Sequence, residues 1–182
     1  MSNEDRRGEE RDRTATDEPD RDGGDRSAAL RTPRLNVGRI DHIVLAYRDR
    51  ASQARARDEF SRLLGVDDWE DLGEIEEVKL AIWISWQAGL ELICPTGPGS
   101  FADEHLARHG EGFFSMVFGV EDLPAAMKRV EEGGGNAVPL AATPPAGAVR
   151  RYAVTREAIV GEIGAIPVLL GEFSLRRPSG AD

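Results

Sequence analysis

Hydrophobic and polar residues alternate along two segments of the chain, residues 39–49 and 112–122, and each segment ends in an acidic turn. Alternation with a period of two predicts a strand with one face toward a core. A helical pattern follows each strand, over residues 51–64 and again after Asp122, and glycines end both helices. A strand followed by a helix, given twice, indicates two half-domains that share one core, with a small-ligand site at their seam.

The two faces of each predicted strand carry different side chains. In the first strand Ile43, Leu45 and Tyr47 are expected to meet the helix, so His42 on the other face points away from it. The second strand divides in the same way, with one face toward its helix (Phe114, Met116, Phe118, Val120) and one face away from it (Phe113, Ser115, Val117, Gly119). His42 and Ser115 are therefore expected on the side of the sheet that faces away from the helices.

Further elements are predicted between and after these units. They are strands at residues 76–86 and 90–95 joined by a turn at 87–89, a short bridging helix at 101–108, and final strands near 148–154 and 165–173. Residues 1–36 are rich in charge, glycine and serine and bury too little apolar surface to fold, so we predict a disordered tail there. A single domain is then expected over 37–175, with halves at about 37–97 and 110–175 and a flexible end at 176–182.

Charge and cysteine content narrow the functional classes. The chain has 33 acidic and 23 basic residues, a net charge of -10, which argues against nucleic-acid binding. Cys94 is the only cysteine, so an internal disulfide and a cysteine-rich zinc site are both excluded, and a reduced, cytoplasmic setting fits best. We expect no membrane span, because charged and polar residues interrupt the most apolar stretch. No Gly-x-Gly-x-x-Gly or Walker sequence is present, so no nucleotide cofactor is expected.

The order of these elements resembles the vicinal oxygen chelate superfamily, which includes glyoxalase, bleomycin-resistance proteins and extradiol dioxygenases, and is most similar to its methylmalonyl-CoA epimerase branch. The pieces that carry the resemblance are DHIVLA at 41–46, LGV at 64–66, LELICP at 90–95 and RHGEG at 108–112. The resemblance implies an α+β fold in which two βαβββ modules form one open, cup-shaped, barrel-like sheet with helices outside. Members often pair, so a homodimer is possible.

The resemblance also implies a divalent metal in the cup, held by up to four side chains. The superfamily's metal-ligand positions in the first half fall on His42 and Glu91. Imidazole and carboxylate groups suit Co, Zn, Ni, Mn or Fe. In the second half the equivalent positions are Ser115, a poor ligand, and Gly171. Glu172 would complete the metal set only if a bulge or a one-residue shift turned it into the cup. Without a metal, His42 and Glu91 would be a buried hydrogen-bonded pair.

Two functions follow from the resemblance. The first is an epimerase, isomerase or lyase that removes a proton next to a carbonyl of a small carbonyl or acyl metabolite. Glu91 or His42 would be its base, Ser115 would hold the oxygen, and Glu76 would be a second acid near the second strand. The alternative is a metal-independent protein that binds or sequesters a small molecule. An extradiol dioxygenase is disfavoured, because its second histidine is missing.

Overall fold

A single sheet of eight strands forms the body of the protein, seen in a computed structural model that describes residues 37–140, 143, 144, 148 and 151–175. The strands are β1 (Val37–Ala46), β2 (Trp69–Ile75), β3 (Leu80–Ser85), β4 (Leu90–Pro95), β5 (Gly112–Val120), β6 (Val138–Pro139), β7 (Tyr152–Ile163) and β8 (Ile166–Leu175). The helices are α1 (Arg50–Leu64), α2 (Asp103–His109) and α3 (Leu123–Glu132). The tails predicted at 1–36 and 176–182 lie outside the described residues.

The order of the strands shows the duplication directly. It reads β2-β3-β4-β1-β5-β8-β7-β6, so each half has the same internal order and the halves meet at β1 and β5. Within each half the first strand pairs in parallel with the last, while β1 and β5 pair antiparallel at the seam. The sheet curls into an open half-barrel, which confirms the α+β fold of two βαβββ modules.

Both long helices begin and end where their sequence signals lie. Asp49 caps α1 in a capping box with Ser52, and Gly65 ends the helix with a φ of 72°. Asp122 caps α3 by accepting a hydrogen bond from the backbone N–H of Ala125. No helix in the described part of the chain is long and apolar enough to span a membrane.

Several element boundaries differ from the sequence-based prediction. The strand predicted at 76–86 is interrupted by a turn that precedes Leu80, in which Lys79 has a left-handed φ of 53°. β2 comes before that turn and was not predicted separately. The strand predicted to end at 154 continues to Ile163.

The prediction that Phe114 faces the helix that follows its strand, α3, was wrong. The pairing of β1 with β5 shifts between Val44 and Leu45, a bulge that leaves Phe114 without a Cα partner. Phe114 instead packs in the core beside Val44 and Val117. The bulge therefore adds an aromatic ring to the same side of β5 as Ser115.

A buried glutamine joins α1 to the first half of the sheet. The side-chain amide of Gln53 is fully buried and donates hydrogen bonds to the backbone carbonyls of Ala81 and Leu92, at 3.1 and 2.7 Å. Its Oε1 accepts from Arg50 and from the Cys94 thiol. One side chain thus fixes α1 across β3 and β4.

Replacing this glutamine should destabilise the protein. Gln53→Ala leaves a buried cavity and removes all four hydrogen bonds of the side chain, so we expect the free energy of unfolding in urea to fall by about 1–3 kcal/mol. Arg55→Ala, on the exposed face of α1, is the control and should change stability by less than about 0.5 kcal/mol. Equal stabilities of Gln53→Ala and the control would show that the amide does not hold the helix.

Candidate active site

One pocket lies against the central strands and takes its walls from both halves of the sheet. The space between its walls is about 730 Å³, a volume that includes solvent at its open mouth. Most of its lining is apolar, with Val44, Ile82 and Ile93 on the first half and Phe114 and Leu169 on the second. Its polar lining consists of carboxylates, hydroxyls and one guanidinium group, from Glu91, Ser115, Thr143, Thr155, Arg156 and Glu157. A ligand here would meet an apolar wall beside a few hydrogen-bonding groups.

His42 lies behind the pocket wall, between two carboxylates. Its side chain is only 3% exposed, and its Nδ1 is 3.1 Å from Oδ1 of Asp41. Its Nε2 is 3.3 Å from Oε2 of Glu91, within ion-pair distance, although the geometry is too poorly aligned for a hydrogen bond. β1 and β4 bring these groups together, because Val44 on β1 is the register partner of Glu91 on β4. The structure therefore joins the two residues that the sequence placed in the cup.

The two carboxylates determine the protonation state of His42. Burial alone would lower the pKa of the imidazole, but the contacts with Asp41 and Glu91 outweigh it and raise the pKa to about 10. His42 is therefore an imidazolium at neutral pH. Its charge compensates carboxylates that would otherwise be desolvated without a partner.

Glu157 is a site residue that the sequence reasoning missed. It lies on β7 opposite Gly171 of β8, and it lines the pocket together with Glu91. Burial raises the pKa of Glu157 to about 7, the charge of Glu91 adds to this rise, and the charge of His42 opposes it. The predicted strand stopped at 154, so Glu157 was not assigned a face. The alternation that continues to residue 163 was the available signal.

Ser115 contributes a hydroxyl that has no partner among the described residues. Its side chain is fully buried, lines the pocket and forms no hydrogen bond within that part of the chain. Buried polar groups are normally paired, so an unpaired hydroxyl at a pocket wall is suited to a ligand atom.

Two predicted site residues lie elsewhere. Glu172 points to the helix side of β8, where it accepts a hydrogen bond from the backbone N–H of Leu123 at 2.9 Å and pairs with Arg156 at 2.6 Å. No bulge reverses its facing, because β7 and β8 pair in regular register from Thr155 to Ile159. Glu76 is exposed in the turn after β2, and Ile75 lines the pocket instead. The structure brings neither glutamate to His42.

The donor groups in the cup do not fit the metal site that the superfamily resemblance implies. At the expected positions His42 and Glu91 are the two metal-binding side chains among the described residues, because Ser115 is a poor ligand. At the closing position, a Cβ added to Gly171 would overlap the ring of Phe173 and lie 3.0 Å from Cγ1 of Val117. An aromatic ring therefore fills the space of the fourth ligand. Among the described residues, no three His, Cys, Asp or Glu side chains are grouped to hold a metal.

Comparison with known proteins agrees with this fold. The sequence model of the Glyoxalase/Bleomycin resistance protein/Dioxygenase superfamily matches residues 41–154. Comparison with curated proteins finds no match.

Similar solved structures include methylmalonyl-CoA epimerases. That of Mycobacterium tuberculosis is 19% identical with a TM-score of 0.60, and the match covers 81% of this chain and 95% of that one. A Streptomyces coelicolor epimerase variant in complex with 2-nitronate-propionyl-CoA is 20% identical with a TM-score of 0.59, and the match covers 77% of this chain and 98% of that one. The hypothetical protein BH1468 from Bacillus halodurans is 17% identical with a TM-score of 0.54, and the match covers 77% of this chain and 97% of that one. At these identities the likeness shows the fold alone.

The ion pair of His42 predicts a pH dependence of stability. Its pKa in the folded protein is raised above that of the unfolded chain, so its contribution is complete below about pH 6.5 and is lost as the pH rises toward 10. We expect the free energy of unfolding to fall between pH 7.5 and 9.5, above the range in which Glu157 titrates. In His42→Gln this slope should be smaller, as measured by urea denaturation at each pH.

The exposed His109 provides the control. His109→Gln should keep the slope of the unchanged protein. If His42→Gln also kept that slope, the buried imidazole would not be the group that titrates. The slope would then come from Tyr47, Tyr152 and Cys94, whose pKa values are raised and which also lose protons at high pH.

Proposed function

This chain belongs to the Glyoxalase/Bleomycin resistance protein/Dioxygenase superfamily, and we propose that it is an isomerase or epimerase that moves a proton on a small carbonyl or acyl metabolite. The observation that carries the proposal is the position of two carboxyl groups. Glu91 comes from the first half of the sheet and Glu157 from the second, and both line one apolar pocket. Epimerisation needs one group to remove a proton and another to return it, so a pair of this kind suits the reaction.

The proton-transfer roles rest on the surroundings of each carboxyl group. A proton-transfer group works best when its pKa is near the operating pH, and the raised pKa of Glu157, about 7, meets this condition. Glu91 lies 3.3 Å from Nε2 of His42, and this ion-pair contact fixes the position of its carboxyl group. Glu91 would thus remove the proton from the carbon next to the carbonyl, and the Glu157 acid would return one.

The developing oxyanion needs a hydrogen-bond donor. The Ser115 hydroxyl lines the same pocket and has no other partner among the described residues, so it is the donor that we assign to this role. One donor of this type contributes about 100-fold or more in rate in enzymes that stabilise an oxyanion. His42 acts through Glu91 and is a positioning residue.

Acyl-CoA thioesters are the first substrates to test. The similar Streptomyces coelicolor epimerase has been seen with 2-nitronate-propionyl-CoA, and another methylmalonyl-CoA epimerase with methylmalonyl-CoA. The pocket of this chain has an apolar wall for a short branched acyl group, with the two carboxyl groups beside it.

A second function, metal-independent binding without turnover, is favoured by a different observation. Phe173 fills the space of the closing ligand, and its ring lies 5.8 Å from those of His42 and Tyr152. These rings extend the apolar character of the cup. A protein that only binds its ligand would use this surface and would not need the carboxyl pair.

Exchange of the substrate proton with solvent separates the two functions. With methylmalonyl-CoA in D₂O, we expect the protein to incorporate deuterium at the carbon next to the thioester, as followed by mass spectrometry. Glu91→Gln should slow incorporation by at least about 100-fold, because it removes the group that abstracts the proton. Glu157→Gln should slow conversion of one epimer into the other by a similar factor, because it removes the group that returns a proton.

Glu162→Gln is the matched control, because Glu162 is an exposed glutamate on the same strand as Glu157. It should keep the full rate. Exchange at the full rate in Glu91→Gln, or epimerisation at the full rate in Glu157→Gln, would contradict the roles assigned here. Binding of the thioester without exchange in the unchanged protein would favour the second function.

A further inference from the structure

Two histidines lie side by side on the bridge between the halves, outside the pocket. His105 and His109 are four residues apart on α2, so they project from one face of the helix, and their ring centroids are 4.8 Å apart. Together with the buried His42 they are all the histidines of the chain. Neither is used in the proton-transfer proposal.

We propose that His105 and His109 chelate a divalent transition-metal ion, such as Zn²⁺, Ni²⁺ or Cu²⁺, with water completing its coordination. Two histidines at this helical spacing are the pair that binds zinc in helical metalloprotease motifs, and imidazole is a preferred ligand of all three ions. The site is distinct from the cup, where His42 is enclosed by carboxylates.

One neighbour restricts the position of the His105 ring. The imidazole packs edge-on against Phe114 of β5, with ring centroids 4.9 Å apart. This contact limits rotation of the ring and holds it beside His109. Burial and the neighbouring His109 lower the pKa of His105, which agrees with a neutral ring.

Electrostatics also favour a cation at this place. His109 is the last residue of α2, at the carboxyl end where the helix dipole is negative. The nearby acids are not expected as ligands, because Glu104 pairs with Arg108 and Asp103 accepts hydrogen bonds from the backbone N–H groups of Gly99 and Ser100. The protein therefore supplies two nitrogen ligands, and because His109 is exposed, water can fill the other positions.

The proposed site touches the pocket wall from outside. Phe114, against which His105 packs, lines the pocket and stacks on Phe101, another lining residue, at 5.7 Å. A bound ion would therefore lie close to the contact between α2 and β5. The inference does not depend on the reaction proposed for the pocket.

Calorimetric titration of the full chain with ZnCl₂ and with NiCl₂, after treatment with a chelator and its removal, tests this site. We expect one ion per chain with a dissociation constant in the micromolar range, and at least a tenfold weaker affinity in His105→Ala and in His109→Ala. His42→Gln and Glu104→Gln are the controls and should bind as the unchanged protein does. Circular dichroism should confirm that each variant is folded.

A spectroscopic measurement tests the ligands directly. The electron paramagnetic resonance spectrum of the Cu²⁺-loaded protein should show coupling to two imidazole nitrogens, and that coupling should disappear in the double variant His105→Ala, His109→Ala. Unchanged affinity in the double variant, or loss of binding in His42→Gln alone, would overturn the proposal. Absence of binding to the unchanged protein would overturn it as well.

Discussion

The ion pair between His42 and Glu91 is the interaction on which the site depends. A buried imidazole becomes charged only where carboxylates repay its desolvation, and Asp41 and Glu91 do so from β1 and β4. The pair fixes the side chain of Glu91 at the pocket wall. It also influences Glu157, whose raised pKa reflects burial and the charge of Glu91, with His42 in opposition. Removing the imidazole would therefore disturb both carboxyl groups.

The duplicated fold explains how the second half came to differ from the first. The halves share one strand order, but β8 carries Gly171 at its cup position, and the ring of Phe173 fills the space above it. The carboxyl group on this side comes from the neighbouring strand instead, where Glu157 is the register partner of Gly171. The Glu157 side chain lines the pocket from β7, while the ring of Phe173 occupies the space at Gly171. The half-barrel is thus retained while its polar groups are rearranged.

Local signals in the sequence predicted much of the fold and only part of the site. The caps at Asp49 and Asp122 and the alternation in β1 depend on neighbouring residues, so they could be read along the chain. The bulge that turns Phe114 inward arises from pairing between β1 and β5, which has no local signature. Glu157 was missed for a different reason, because the predicted strand ended at residue 154 and no face was assigned beyond it. The position of Glu172, in contrast, could be predicted locally, because strict alternation along its strand places it on the helix side.

The protonation state of His42 tests the central claim most directly. In protein labelled with ¹⁵N at histidine, both ring nitrogens of His42 should give the shifts of an imidazolium at pH 8, and they should titrate together with a pKa of about 10. A neutral ring at pH 8, with one protonated and one unprotonated nitrogen, would contradict the account. The exposed His109 supplies an internal comparison in the same spectrum.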